Sequence, residues 1–218
     1  MVIRLAESLQ VPLRERNQLL VAGGYAPAYD ETPYDAPGLG AIRMALAGIL
    51  EGHRPSPAVV VDRRGDVVLA NRSFDVMAAG VAPYLLEPPV SVPRLFLHPD
   101  GLAPRIVNFA EWSWHVIDGR TREAALVPDQ EADGLIAELI TLIPPRPEMG
   151  PDHLGFAVPL RLRSEDEELR LITTLTRFGT AIDMTVAELR MEAFLPADER
   201  TARALWGLDR IMLQRVEV

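Results

Sequence analysis

Three residues of different chemistry fall at spacings that one helix would bring together. Arg105, Asn108 and Trp112 are separated by three, four and seven positions, one face of a 3.6-residue helix. A guanidinium, an amide and an indole on one face can meet a ligand carboxylate and the start of its apolar tail. The same spacing also suits a structural arrangement, with Asn108 serving buried backbone, Trp112 in the core and Arg105 in solvent. Both readings stand at this stage. A second constellation is His98-Pro99-Asp100-Gly101, where an imidazole and a carboxylate share a loop. His53, His115 and His153 are scattered, and neither an HExxH spacing nor a carboxylate cluster accompanies His98. The block therefore reads as a turn, with Gly101 permitting a positive φ and Asp100 bonding nearby backbone. GxSxG, Walker and GxGxxG patterns are absent from the chain, so the expectation is a protein that is not an enzyme.

A third set comes from alternating segments near the C-terminus. Leu160, Leu171, Thr173, Met191 and Ala193 occupy the apolar phase of three strand-like runs and are expected to point inward. They serve either as plain core or as a cavity wall. Thr173 and Ala193 are small among large neighbours and leave room for a guest, and Met191 adapts to a flexible apolar one. Trp114, two residues from Trp112, points elsewhere and suits a surface or dimer contact. Glu165-Asp166-Glu167-Glu168 reads as a solvated hairpin tip.

The elements that must position these residues follow from period and punctuation. Leu39, Ile42, Leu46, Ile49 and Leu50 form an amphipathic helical stripe, which Asp35 can cap and Pro55 and Pro57 end. Two Val-rich runs around Arg63-Arg64-Gly65-Asp66 predict a hairpin, and Asn71 an N-cap for a short helix through about Ala79. Prolines break up 80–104, leaving short turns such as 92–97. Helices are predicted over 105–127, 130–143 and 197–213, and strands over 156–163, 169–177 and 188–195. The connections SEDEE and FGTA read as hairpin-like. The fold class is α+β: an antiparallel five-stranded sheet with helices on one face, in the element order of a PAS-like sensor.

Composition narrows the function classes. With 48% apolar residues, the chain has ample material for a core. Its apolar runs are too short for a membrane span, and Arg4 and Glu7 interrupt any signal-peptide layout, so the cytoplasm is the expected location and no membrane partner is expected. It has no cysteine, which excludes disulfides, thiolate nucleophiles and cysteine-based zinc sites. All its basic residues are arginine, which excludes Schiff-base and P-loop lysine chemistry. The net charge of −9 argues against this chain holding nucleic acid by itself.

The N-terminal residues form a separate signal. Val2, Leu5, Ala6 and Leu9 share one helical face; Pro12 can open a second helix, and Gly23-Gly24 can close it in a left-handed cap before Pro27. Two helices this short bury little alone and need a partner to pack on. Together, LAESLQVPLRERNQLLVAGGYAPAY, VVVDRRGDVVLAN, LFLHPDGLAPRIVNFAEW and LTRFGTAIDMTVAELRMEAFLPAD resemble, in order and over nearly the whole chain, the MmyB-like bacterial transcription regulators. Those proteins join an N-terminal helix-turn-helix to a C-terminal PAS-like ligand-binding domain. The resemblance implies that residues 1–28 are the end of the DNA-binding domain, 29–54 a connector with a linker helix, and 55–218 the sensor. It also implies that the recognition helix lies before Met1, so that DNA is a partner only through that missing head. The expected function is a sensor for a small apolar ligand, fatty-acid-like, coupled to the head through the stripe Leu39–Leu50 and present as a homodimer. No cofactor is expected. The alternative is a ligand-free dimerisation or protein-interaction module.

Overall fold

The computed structural model describes residues 1–126, 130–148, 158–164, 167–178 and 181–214. Two helices, α1 (Val2–Ser8) and α2 (Leu13–Ala22), come first. Pro12 precedes α2, and Gly24 takes a positive φ of 79° just beyond its end, as expected of a left-handed cap. Helix α3 (Gly40–Gly52) follows a single 3-10 turn. Asp35 does not cap it; residues 37–39 wind into that turn instead, and neither it nor α3 has a side-chain cap.

Strands β1 (Ala58–Val61) and β2 (Val67–Ala70) form the expected hairpin. Its turn is held by Asp62, whose Oδ1 accepts from the amides of Arg64, Gly65 and Asp66 at 2.9 Å each. Gly65 sits at φ +91°, which favours glycine, and an added Cβ would fall 1.9 Å from an Arg120 nitrogen and displace that side chain. Asn71 caps the next turn through Phe74 N, ahead of α4 (Asp75–Ala78). Helices α5 (Val92–Leu97), α6 (Phe109–Leu126) and α7 (Gln130–Leu142) follow. Strands β3 (Leu160–Arg163) and β4 (Glu168–Arg177) pair directly. Between β4 and β5 (Arg190–Pro196) the chain forms a short helix, α8 (Met184–Glu188), rather than a tight hairpin. Asp183 caps α8 through the amides of Thr185 and Val186. The last helix is α9 (Glu199–Gln214), where Asp198 accepts from Thr201 N at 2.7 Å. That bond holds the Asp198 carboxyl below the usual carboxylate range.

The five strands form one antiparallel sheet in the order β2-β1-β5-β4-β3. The five-stranded antiparallel sheet of an α+β fold is as expected from the sequence, but helices cover both faces rather than one, because the apolar stripe of α3 packs on the side opposite α4 to α7. The main core lies on one side, where Val59, Val61, Leu160, Leu162, Leu171 and Phe194 meet side chains from α4 to α7 and α9. The opposite side carries a second, smaller core: Leu46 and Leu50 of α3 against Ala58, Val60, Met191 and Ala193. Because β5 is central and covered on both sides, its two phases are both buried, so alternation there does not separate inside from outside.

Candidate functional site

The registers show which side chains share a face. Thr173 pairs with Phe194 and Leu175 with Glu192, while Thr174 pairs with Ala193 and Thr176 with Met191. The first set turns toward α6 and the second toward α3. Between α6, α5 and the first set lies a groove of about 200 Å³. Its floor is aromatic. Phe96 stacks on Phe194 with centroids 5.3 Å apart and meets Trp112 at 5.2 Å. Val92, Pro93, Val116, Thr173 and Leu175 complete the apolar wall, and Leu175, 57% exposed, marks the side open to solvent.

At its far end the groove becomes charged, with Arg120 and Glu123 from α6 and Arg190 and Glu192 from β5. Arg190 donates to Glu123 at 2.8 Å and to Glu192 at 3.2 Å, and is only 5% exposed. Arg120 donates to the carbonyl of Arg64 in the hairpin turn at 3.2 Å. Burial, with the like charge of Arg190 adding to it, pushes the Arg120 guanidinium down to about 10. The same Arg120, Glu123 and Arg190 also line a wider cleft of about 580 Å³. That cleft lies between the sheet with its packed helices and the N-terminal helices, with Arg14 and Arg16 on one side and Leu135, Ile136 and Leu139 on the other.

The eight residues singled out from the sequence divide by position. Trp112 and Thr173 line the groove. Leu160 and Leu171 are fully buried in the adjoining core. Met191 and Ala193 are on the opposite face of the sheet, under α3, which corrects the expectation that all five strand residues share one wall. Arg105 and Asn108 do not share a helical face with Trp112, because α6 begins only at Phe109, after a 3-10 turn at 103–105. Instead, Arg105 donates to the carbonyls of Ala79 at 2.6 Å, Val76 at 3.2 Å and Arg163 at 3.0 Å. Asn108 donates to Pro159 O at 2.9 Å and accepts from Arg161 N at 3.1 Å. Asn108 thus serves backbone and Trp112 is buried, as the structural arrangement had them, but Arg105 is half-buried on three carbonyls rather than standing in solvent.

Sequence reasoning missed Phe96, Phe194, Arg120, Glu123, Arg190 and Glu192. A usable signal existed in β5, where Arg190 and Glu192 are charged residues in a strand flanked on both sides by other strands. The His98 loop is a turn as expected: Nδ1 accepts from Asp100 N at 3.0 Å, and Tyr84 donates to Asp100 at 2.7 Å. Gly101 has no positive φ; it is required because an added Cβ would fall 2.3 Å from Leu95 O. His153 lies outside the described residues, as do Glu165 and Asp166 of the acidic run. Trp114 is engaged within the chain: its Nε1 donates to Pro144 O at 2.9 Å, and the Arg146 guanidinium lies 4.4 Å above its ring. Among the described residues no helix is long and apolar enough to cross a membrane, and no His, Cys, Asp and Glu cluster could hold a metal.

The family model described as the MmyB-like transcription regulator ligand binding domain matches residues 42–208, more than half of the chain. No curated protein matches it.

Proposed function

Since this chain belongs to the family of MmyB-like transcription regulator ligand binding domains, we propose that its groove between α6 and the strands β4 and β5 takes a small, largely apolar, fatty-acid-like molecule. The observation that carries this reading is an apolar groove that opens toward solvent beside the exposed Leu175 and is backed by the buried, mutually packed rings of Phe96, Trp112 and Phe194. Apolar area with a few polar groups at one end is the usual make-up of a small-molecule site. Each methylene moved from water onto that floor is worth about 0.8 kcal/mol, enough to select an acyl or alkyl chain. The ligand-free alternative is less favoured, because Trp114, the side chain offered for a dimer contact, is engaged within the chain.

In this reading residues 1–28 are the end of a helix-turn-helix head, and DNA is contacted through that head. The exposed Leu5 on α1, Leu9 just beyond its end, and Leu19 and Val21 on α2 support it, since they offer apolar surface to a further helix. Helix α3 falls largely inside the matched span and packs under the sheet, so we group it with the sensor body rather than with a free connector. Coupling then runs through α2 and α8 rather than through the Leu39–Leu50 stripe, which lies on the face away from the groove. Arg14 of α2 donates to Glu188 at 2.6 and 3.0 Å, and Asn17 Nδ2 lies 3.4 Å from the Met184 sulfur. Arg190 lies two residues beyond Glu188, at the charged end of the groove. A ligand that favours one arrangement of this junction biases α2 by no more than its differential affinity for the two. The sensor works in the cytoplasm, beside the DNA that its head reads.

Native mass spectrometry of the chain purified from cells, without detergent or denaturant, tests the ligand. We expect a fraction of molecules carrying an added mass that is released on denaturation and identified as an acyl or alkyl compound. Ligand-free protein that also gains no mass on incubation with decanoate or decan-1-ol would refute the reading.

A further inference from the structure

We propose that the junction of groove and cleft is an anion subsite for the head of the ligand, and that Glu123 occupies it until the head displaces it. The inference rests on the groove reading above and adds what the ligand must carry. Three arginines converge on the one carboxylate of Glu123: Arg177 at 2.6 Å, Arg190 at 2.8 Å and Arg120 at 3.6 Å. Glu192 lies beside Arg190 at 3.2 Å, so Arg190 is shared between two carboxylates. Two of the three arginines are shielded from water, the Arg120 side chain being 14% exposed and that of Arg190 6%. Guanidinium groups in such surroundings form their strongest hydrogen bonds with carboxylates. Glu123 is the intramolecular example, and a ligand carboxylate offers the same pair of oxygens.

Exchange is sterically open. The Glu123 side chain is 29% exposed, and the residue lines both the groove and the cleft. Turning it into the cleft leaves Arg190 and Arg120 facing the groove end, where the aromatic floor stops. An incoming anion takes over from Glu123 in offsetting the repulsion between Arg120 and Arg190. The subsite therefore selects an amphipathic anion over a neutral chain of equal length. Glu123 sets the threshold, as an internal competitor for the same three arginines.

The test is calorimetric titration of the chain with decanoate and with decan-1-ol, which share a tail and differ in the head. Wild type is expected to bind decanoate at least tenfold more tightly than decanol. Glu123→Gln is expected to raise decanoate affinity three- to tenfold and leave decanol unchanged. Arg177→Gln, at a side chain 62% exposed and so safe for folding, is expected to weaken decanoate severalfold without touching decanol. Equal affinity for both ligands, with no response to either substitution, would overturn the subsite while leaving the apolar groove standing. Binding of neither would overturn both.

Discussion

Asn71→Ala is expected to destabilise the domain by about 3–4 kcal/mol, a large effect for one polar side chain. Asn71 is 5% exposed and uses its full hydrogen-bonding capacity. Its Oδ1 accepts from Ala58 N at 3.0 Å and Phe74 N at 3.2 Å, and its Nδ2 donates to Leu50 O at 3.0 Å and Ser56 O at 2.9 Å. One amide group thereby joins the end of α3, the start of β1 and the turn into α4. Alanine removes the side-chain partner of the buried Ala58 N–H and of Ser56 O. Phe74 N–H and Leu50 O each keep a backbone partner, in Asn71 O and His53 N. Two stranded groups at about 1–3 kcal/mol each, with part of the loss relieved by relaxation, give the stated range. Urea denaturation checks it: the midpoint should fall sharply while the slope stays that of the parent. An unchanged midpoint would mean that the buried amide network contributes nothing to the joint between α3 and the sheet.

Thr173→Trp is expected to weaken decanol and decanoate binding on the order of a hundredfold while leaving the fold intact. Thr173 lies on the groove face of β4 and is exposed, so a larger side chain meets space rather than packed core. An indole there lies over the Phe194 ring, since the two positions are register partners. Excluding about four methylenes from the floor forfeits about 3 kcal/mol, which is that loss of affinity. Thr174→Trp is the control. It is also exposed, but it pairs with Ala193 and faces α3. Binding to that variant should match wild type. Calorimetry on the pair decides the matter, and equal losses in both would place the ligand somewhere other than the groove face.

Much of the architecture was legible because it depends on local signals. The hairpin required a turn glycine between valine runs, and Gly65 sits there at positive φ. The helix at 92–97 fitted between prolines, and Asn71 capped as its type predicts. The site was less legible, for two physical reasons. First, helical spacing was projected back beyond Phe109 to Arg105, while the chain instead makes a 3-10 turn and a bridge from Ile106 to Leu162 before α6 begins. A wheel drawn across a helix start groups residues that the backbone separates. Second, the alternation in β5 was read as apolar-in and charged-out. A strand with helices on both sides has no outside, and the charged phase of Arg190 and Glu192 proved to be the one at the groove. Strand period alone cannot tell which buried face holds the charges. The partner of Arg190 comes from α6, and that long-range contact is written in no local pattern. The helix α8 was missed for the opposite reason: at five residues it is too short for any period, and only the Asp183 cap announces it.

The central claim, that an apolar molecule binds on the α6 side of the sheet, is tested most directly by methyl NMR of the chain titrated with decan-1-ol. The account predicts that the methyl signals of Val92, Val116, Thr173 and Leu175 shift together and saturate. Those of Leu46, Leu50 and Met191, packed under α3, should hold still. Shifts confined to the α3 side, or no saturable shift in the groove, would contradict it.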